Sequence, residues 1–157
     1  MKRQSLAVLV ALSIATAATA GGNTLLVTEV REDCTVVFDG GFAIHLTGIT
    51  FPDPDTELGR EACDFVRRRI AGQRVAVFTW TTDGTAAGIV WGDDKLAFAT
   101  ILYGEHRSID IAAQLLERGL ARVDPERLPQ IAQHYREIEW TARVHGLGVW
   151  SSRSDWR

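Results

Sequence analysis

Cysteine is scarce in this chain, and so is surplus positive charge. Two cysteines in 157 residues exclude a small scaffold held by a disulfide framework. Seventeen Lys and Arg against 20 Asp and Glu give a formal charge of −3, which excludes a strongly basic protein that coats nucleic acid through its overall field. Beyond residue 20 no apolar run is long enough to span a bilayer, because charges or turns interrupt every one. Internal repeats and low-complexity tracts are absent, and the composition is neither collagen-like nor that of a coiled coil. What remains is an ordinary globular balance, 46% hydrophobic and 24% charged, at a length that suits one domain.

The first twenty residues have the layout of an address. Lys2 and Arg3 form a positive head, Leu6 to Ala17 is nearly unbroken apolar sequence, and Ala18-Thr19-Ala20 supplies a small-x-small cleavage site. This is the pattern of a secretory signal peptide. The alternative, a membrane anchor, needs about 20 apolar residues where this run has about a dozen. Cleavage after Ala20 leaves a domain starting at Gly21, bound for periplasm or medium, and removes two positive charges. In an oxidising compartment Cys34 and Cys63 are a candidate disulfide, with two buried free thiols as the alternative that only the Cα separation decides. A bridge closing a loop of that size contributes about 3–4 kcal/mol.

The first half of the exported part reads as strands. Thr24 to Val30, Thr35 to Phe38 and Phe42 to Leu46 are rich in β-formers, and Asp39-Gly40-Gly41 is a hairpin turn. Leu58, Ala62, Phe65, Val66 and Arg69 then recur at helical spacing until Gly72, with Arg67, Arg68 and Arg74 read as a solvated face. Strand character returns over Val75 to Trp80, Ala86 to Trp91 and Leu96 to Tyr103, with turns at Asp83-Gly84 and Gly92-Asp93-Asp94. Ser108 is placed to cap a second helix ending at Gly119. Leu128, Ile131, Tyr135, Ile138 and Ala142 mark a third, stopped by Gly146. The pattern predicts an α+β, mainly β, domain built on a small barrel.

Several motifs stand in a telling order. Leu46-Thr47-Gly48-Ile49-Thr50-Phe51-Pro52-Asp53 resembles "RLIGIDAPE", and Gly59-Arg60-Glu61-Ala62 resembles a "GxEA" helix start. Leu115 to Ala121 is similar to "LL-x-x-GLA", and Ala142-Arg143 with Gly146-Leu147-Gly148-Val149-Trp150 is similar to "AR…GLGLW". Together they resemble the staphylococcal-nuclease-like (thermonuclease) family across Thr24 to Ser152. The resemblance implies a five-stranded OB-type barrel with three helices over residues 21–152, followed by a polar tail, 153–157. It also implies descent from a Ca²⁺-dependent phosphodiesterase, in which hard oxygen ligands hold the metal, a glutamate serves the attacking water and two arginines clamp the phosphate.

Carried over position by position, most of that machinery is substituted. The first metal aspartate falls at Cys34, whose sulfur suits a hard cation poorly, although a one-residue slip offers Asp33. The second falls at Thr50, and the glutamate falls at Asp53, one methylene shorter. The first arginine falls at His45, and the second, in either register of the 83–95 turns, has at best the neighbouring Lys95. Asp53, His45 and Lys95 are therefore the candidate catalytic residues, with Asp33 or Asp55 available to a metal. The reading is a monomeric pseudoenzyme that needs no cofactor and serves as a structural module or as a binding module for nucleic acid, oligosaccharide or protein in the barrel groove. Phe42, Trp80, Trp91, Phe98 and Tyr103 are its candidate stacking aromatics. The alternative is an active, divergent nuclease that uses calcium.

Overall fold

The computed structural model describes residues 23–80, 86–87, 97–104, 109–127 and 132–152. The leader, the turns at 83–84 and 92–94, Trp91, Lys95, Ser108, Leu128, Ile131 and the tail 153–157 lie outside the described residues.

Strands β1 (Asn23–Val30), β2 (Val36–Phe38) and β3 (Ala43–Leu46) form an antiparallel meander. Gly40 and Gly41 turn its second hairpin with φ of +89° and +79°, a region that glycine enters without steric cost. A two-residue strand, β4 (Ile49–Thr50), leads into helix α1 (Glu57–Ile70). Strand β5 (Arg74–Trp80) then pairs with β1, and β7 (Ala97–Tyr103) pairs with β5 antiparallel and with β3 parallel. That last pairing closes a five-stranded mixed barrel in the order β1-β2-β3-β7-β5. Short strands β6 (Ala86–Ala87) and β8 (Ile109–Asp110) extend β5 and β7. Helix α2 (Ile111–Glu117) follows, then β9 (Arg122–Val123), which pairs with β4, and helix α3 (Tyr135–Val144). A 3-10 turn, Gly148–Trp150, closes the described chain. The barrel interior holds Val27, Val36, Phe38, Ile44, Val75 and Ile101, all buried, and α1 covers it with Ala62, Phe65, Val66 and Ile70.

Two helix starts differ from the sequence expectation. The cap of α2 is Asp110, whose carboxylate accepts from the Ala112 and Ala113 amides at 2.9 and 3.4 Å, and Ile109 belongs to β8. A carboxylate also suits the positive end of the helix dipole better than a hydroxyl does. The α3 helix begins at Tyr135, because Ala132 to His134 form a turn and His134 offers no side-chain cap.

Two of the motifs touch each other. Gly119 ends α2 at φ +67°, and its carbonyl accepts from Val149 N–H at 2.8 Å. A Cβ on Gly119 would meet the Leu147 carbonyl oxygen at 2.2 Å, and one on Gly148 would meet the Gly119 oxygen at 2.1 Å. The two glycine motifs thus form one backbone-to-backbone junction.

Candidate functional site

The turn between β1 and β2 builds one wall of a cleft. Arg31 N–H donates to the Thr35 carbonyl at 2.9 Å, and Cys34 N–H donates to the Arg31 carbonyl at 3.1 Å. Cys34 sits at φ +64°, the one described non-glycine residue in the left-handed region, where an L side chain is strained. A disulfide ties it to Cys63 on α1, with the Cα atoms 4.9 Å apart. Both cysteines are buried.

The opposite wall is the approach to α1. Asp53 Oδ1 accepts from the Asp55 amide at 2.9 Å, and the Asp53 carbonyl accepts from the Thr56 hydroxyl at 2.6 Å. Thr56 in turn caps α1 by accepting from Gly59 N–H at 3.0 Å. Gly59 is required here, since a Cβ would lie 2.0 Å from the Asp53 carbonyl oxygen. Asp53 is thus held by its own turn as well as facing the cleft.

The cleft has a volume of about 620 Å³ and brings together Asp33, Cys34, His45, Thr50 and Asp53. Residues from the β1–β2 turn, β3, β4 and the α1 approach therefore converge on one cleft. Lys95 lies outside the described residues, and Asp55 lines a neighbouring concavity on the other side of Asp33. Two further charged residues line the cleft, Asp124 and Arg127. Their link is pinned to the β3–β4 turn: Asp124 N–H donates to Gly48 O at 2.9 Å, and Thr47 Oγ1 donates to Arg127 O at 2.9 Å. Arg127 Nη1 pairs with Asp124 at 3.1 Å. Sequence reasoning missed both, because Asp124-Pro125 reads only as a connection and nothing local reveals the distant β4–β9 pairing.

Hydrogen bonds tune the acidic wall. Burial pushes the Asp33 carboxyl upward, but the Thr35 amide (3.0 Å), the Thr35 hydroxyl and the His45 imidazole favour its charged form, and the net shift is downward. Thr35 Oγ1 also lies 3.4 Å from His45 Nδ1. Thr50 is exposed and pairs in register with Arg122.

A calcium ion takes hard oxygen donors, several of them charged. Position 34 contributes a disulfide sulfur, which has no charge to offer a hard cation, and position 50 contributes a neutral hydroxyl. Among the described residues, no three His, Cys, Asp or Glu side chains come together closely enough to hold a metal ion. The residues that the resemblance places at the two metal aspartate positions do not fit a calcium ion. Of the stacking candidates, Phe42 is partly buried and stacks on Phe38 at 5.8 Å. Tyr103 is buried, with its hydroxyl on Gln114. Tyr103 belongs to the core, and Phe42 packs against it.

A sequence model of the family described as staphylococcal nuclease homologue matches residues 43–152. The chain belongs to that family. The match runs from β3 to the end of the described chain, so it covers the parallel β3–β7 closure, all three helices and the Gly119–Gly148 junction. It begins after the β1–β2 turn that carries Asp33 and Cys34. No curated protein matches this staphylococcal nuclease homologue. Among the described residues no helix is long and apolar enough to cross a membrane.

Proposed function

We propose that this is an exported binding module of nuclease descent whose hydrolytic centre no longer works. One observation carries the reading: Cys34, which the resemblance aligns with the family's first metal ligand, is bonded to Cys63. It can neither coordinate calcium nor move to do so. Thr50 adds no charge, and His45 supplies one donor where a guanidinium fork would supply two. Removing one electrostatic stabiliser of a transition state typically costs 10²–10³ in rate, and here several are replaced. The disulfide, which persists in oxidising compartments, and the leader pattern of residues 1–20 both support export.

An active divergent phosphodiesterase is the second reading, favoured by the meeting of Asp33, His45 and Asp53 in one cleft. Cleavage of labelled single-stranded DNA and RNA with Ca²⁺ or Mg²⁺ separates the two. The binding-module reading expects no turnover above buffer. Metal-dependent turnover that disappears in Asp53→Ala establishes the second reading instead. Titration with labelled oligonucleotides and glycans then identifies the occupant of the groove.

A further inference from the structure

The arginines beyond the cleft are arranged unevenly. Arg69 on α1 and Arg118 at the end of α2 both lie over the ring of Phe65, with guanidinium carbons 5.2 and 5.0 Å from its centroid. The two like charges are therefore held within about 10 Å of each other by the geometry of cation–π stacking. Arg68, in the same last turn of α1, and Arg74, just past its end, are exposed as well. None of the four is in an ion pair with a carboxylate among the described residues, where the pairs are Arg67–Asp64 and Arg127–Asp124. The nearest acid in sequence, Glu117, lines the shallow groove between α2 and α3 instead. Concentrating unpaired guanidinium groups on a chain of net negative charge costs self-repulsion that an anionic partner would relieve.

We infer that Arg68, Arg69, Arg74 and Arg118 form a docking face for an anionic lipid surface. Charge complementarity selects the anion, and the patch's own anatomy selects the kind. Single-stranded nucleic acid is held by aromatic faces on which bases stack, whereas Phe65 is 5% exposed and its ring is occupied by the arginines. A protein partner calls for a desolvated apolar anchor. The exposed large hydrophobic residues among the described ones, Trp140, Val144 and Leu147, lie on and just beyond α3. A planar array of phosphate headgroups requires neither feature and gains on the order of a fivefold increase in affinity per basic side chain.

Orientation gives the face a consequence. Phe65 follows Cys63 by two residues on α1, so it points away from the side that carries the disulfide and the cleft. The patch sits at the C-terminal end of a helix about 20 Å long, and Asp53 precedes its N-terminal end. Docking through the arginines leaves the cleft open to solvent. The proposal rests on the export reading, since it needs a lipid surface within reach, but not on whether the cleft hydrolyses anything.

The test is sedimentation of the protein, purified from an exporting host, with vesicles. Vesicles of equal parts phosphatidylglycerol and phosphatidylcholine should carry it down at low salt and release it at high salt, and pure phosphatidylcholine should not. The double variant Arg69→Glu/Arg118→Glu should bind at least about tenfold more weakly. Arg68→Glu/Arg74→Glu, which disturbs no stacked ring, should weaken binding as well and decides the matter if the first pair misfolds. Asp53→Ala should bind as the parent does. Equal binding to both vesicle types overturns the proposal, as does indifference to both charge reversals. Displacement by millimolar inorganic phosphate, or tighter binding to a labelled oligonucleotide than to the charged vesicles, likewise overturns it.

Discussion

The Gly119–Gly148 junction and the Cys34 turn are two tightly constrained places among the described residues, and they differ in what constrains them. At the junction, two glycines that match the family's motifs let the end of α2 meet the closing 3-10 turn. At the turn, which lies before the family match, a left-handed residue carries a side chain and is bonded covalently to α1. The first region lies within the family match and the second lies before it, and packing and site chemistry can depend on such different residues.

The sharpest way to break this contrast is Gly119→Ala. The added carbon meets a backbone oxygen at 2.2 Å, at a φ that disfavours any L side chain. A loss of about 4 kcal/mol or more is expected in thermal or urea unfolding. Survival with normal stability would show that the junction is not what holds the helices together. Next comes the turn itself. Cys34→Ser/Cys63→Ser should cost about 3–4 kcal/mol by the loop-closure argument, again read by urea unfolding. A negligible loss would make the bridge incidental.

A smaller effect tests the α2 cap that the sequence placed differently. Tyr135, fully buried, donates its hydroxyl to Asp110 at 2.5 Å, and burial, then the facing carboxylate, pushes the phenol far above its ordinary range. Tyr135→Phe leaves that carboxylate with its amide donors alone and should cost about 1.5–2 kcal/mol. The smallest effect is electrostatic. The Asp33 carboxyl lies below its ordinary value, so the stability it contributes is present above that value and is lost as pH falls through the lower, folded one, a window below about pH 4. Thr35→Val should raise the Asp33 pKa, as followed by its side-chain carbonyl signal in NMR. An unchanged titration would remove Thr35 from the network.

Much of the architecture was readable because it follows from local pattern. The meander, the Gly40-Gly41 turn, the Val66 face of α1 and the glycine stops all express periodicity or backbone freedom within a few residues. The start of α2 was not legible, since Ser108 and Asp110 are both good caps and only the β7–β8 pairing makes Ile109 a strand residue. Motif positions singled out Cys34, His45, Thr50 and Asp53, and the four line one cleft. Arg127 was invisible, because it reaches the cleft through Thr47, eighty residues away in sequence.

The central claim, that the cleft has lost its metal centre, is tested most directly by titrating the protein with calcium in a calorimeter. No stoichiometric heat of binding is expected, and Asp53→Ala should give the same flat trace. Uptake of one ion per chain, abolished by Asp53→Ala, would contradict the account.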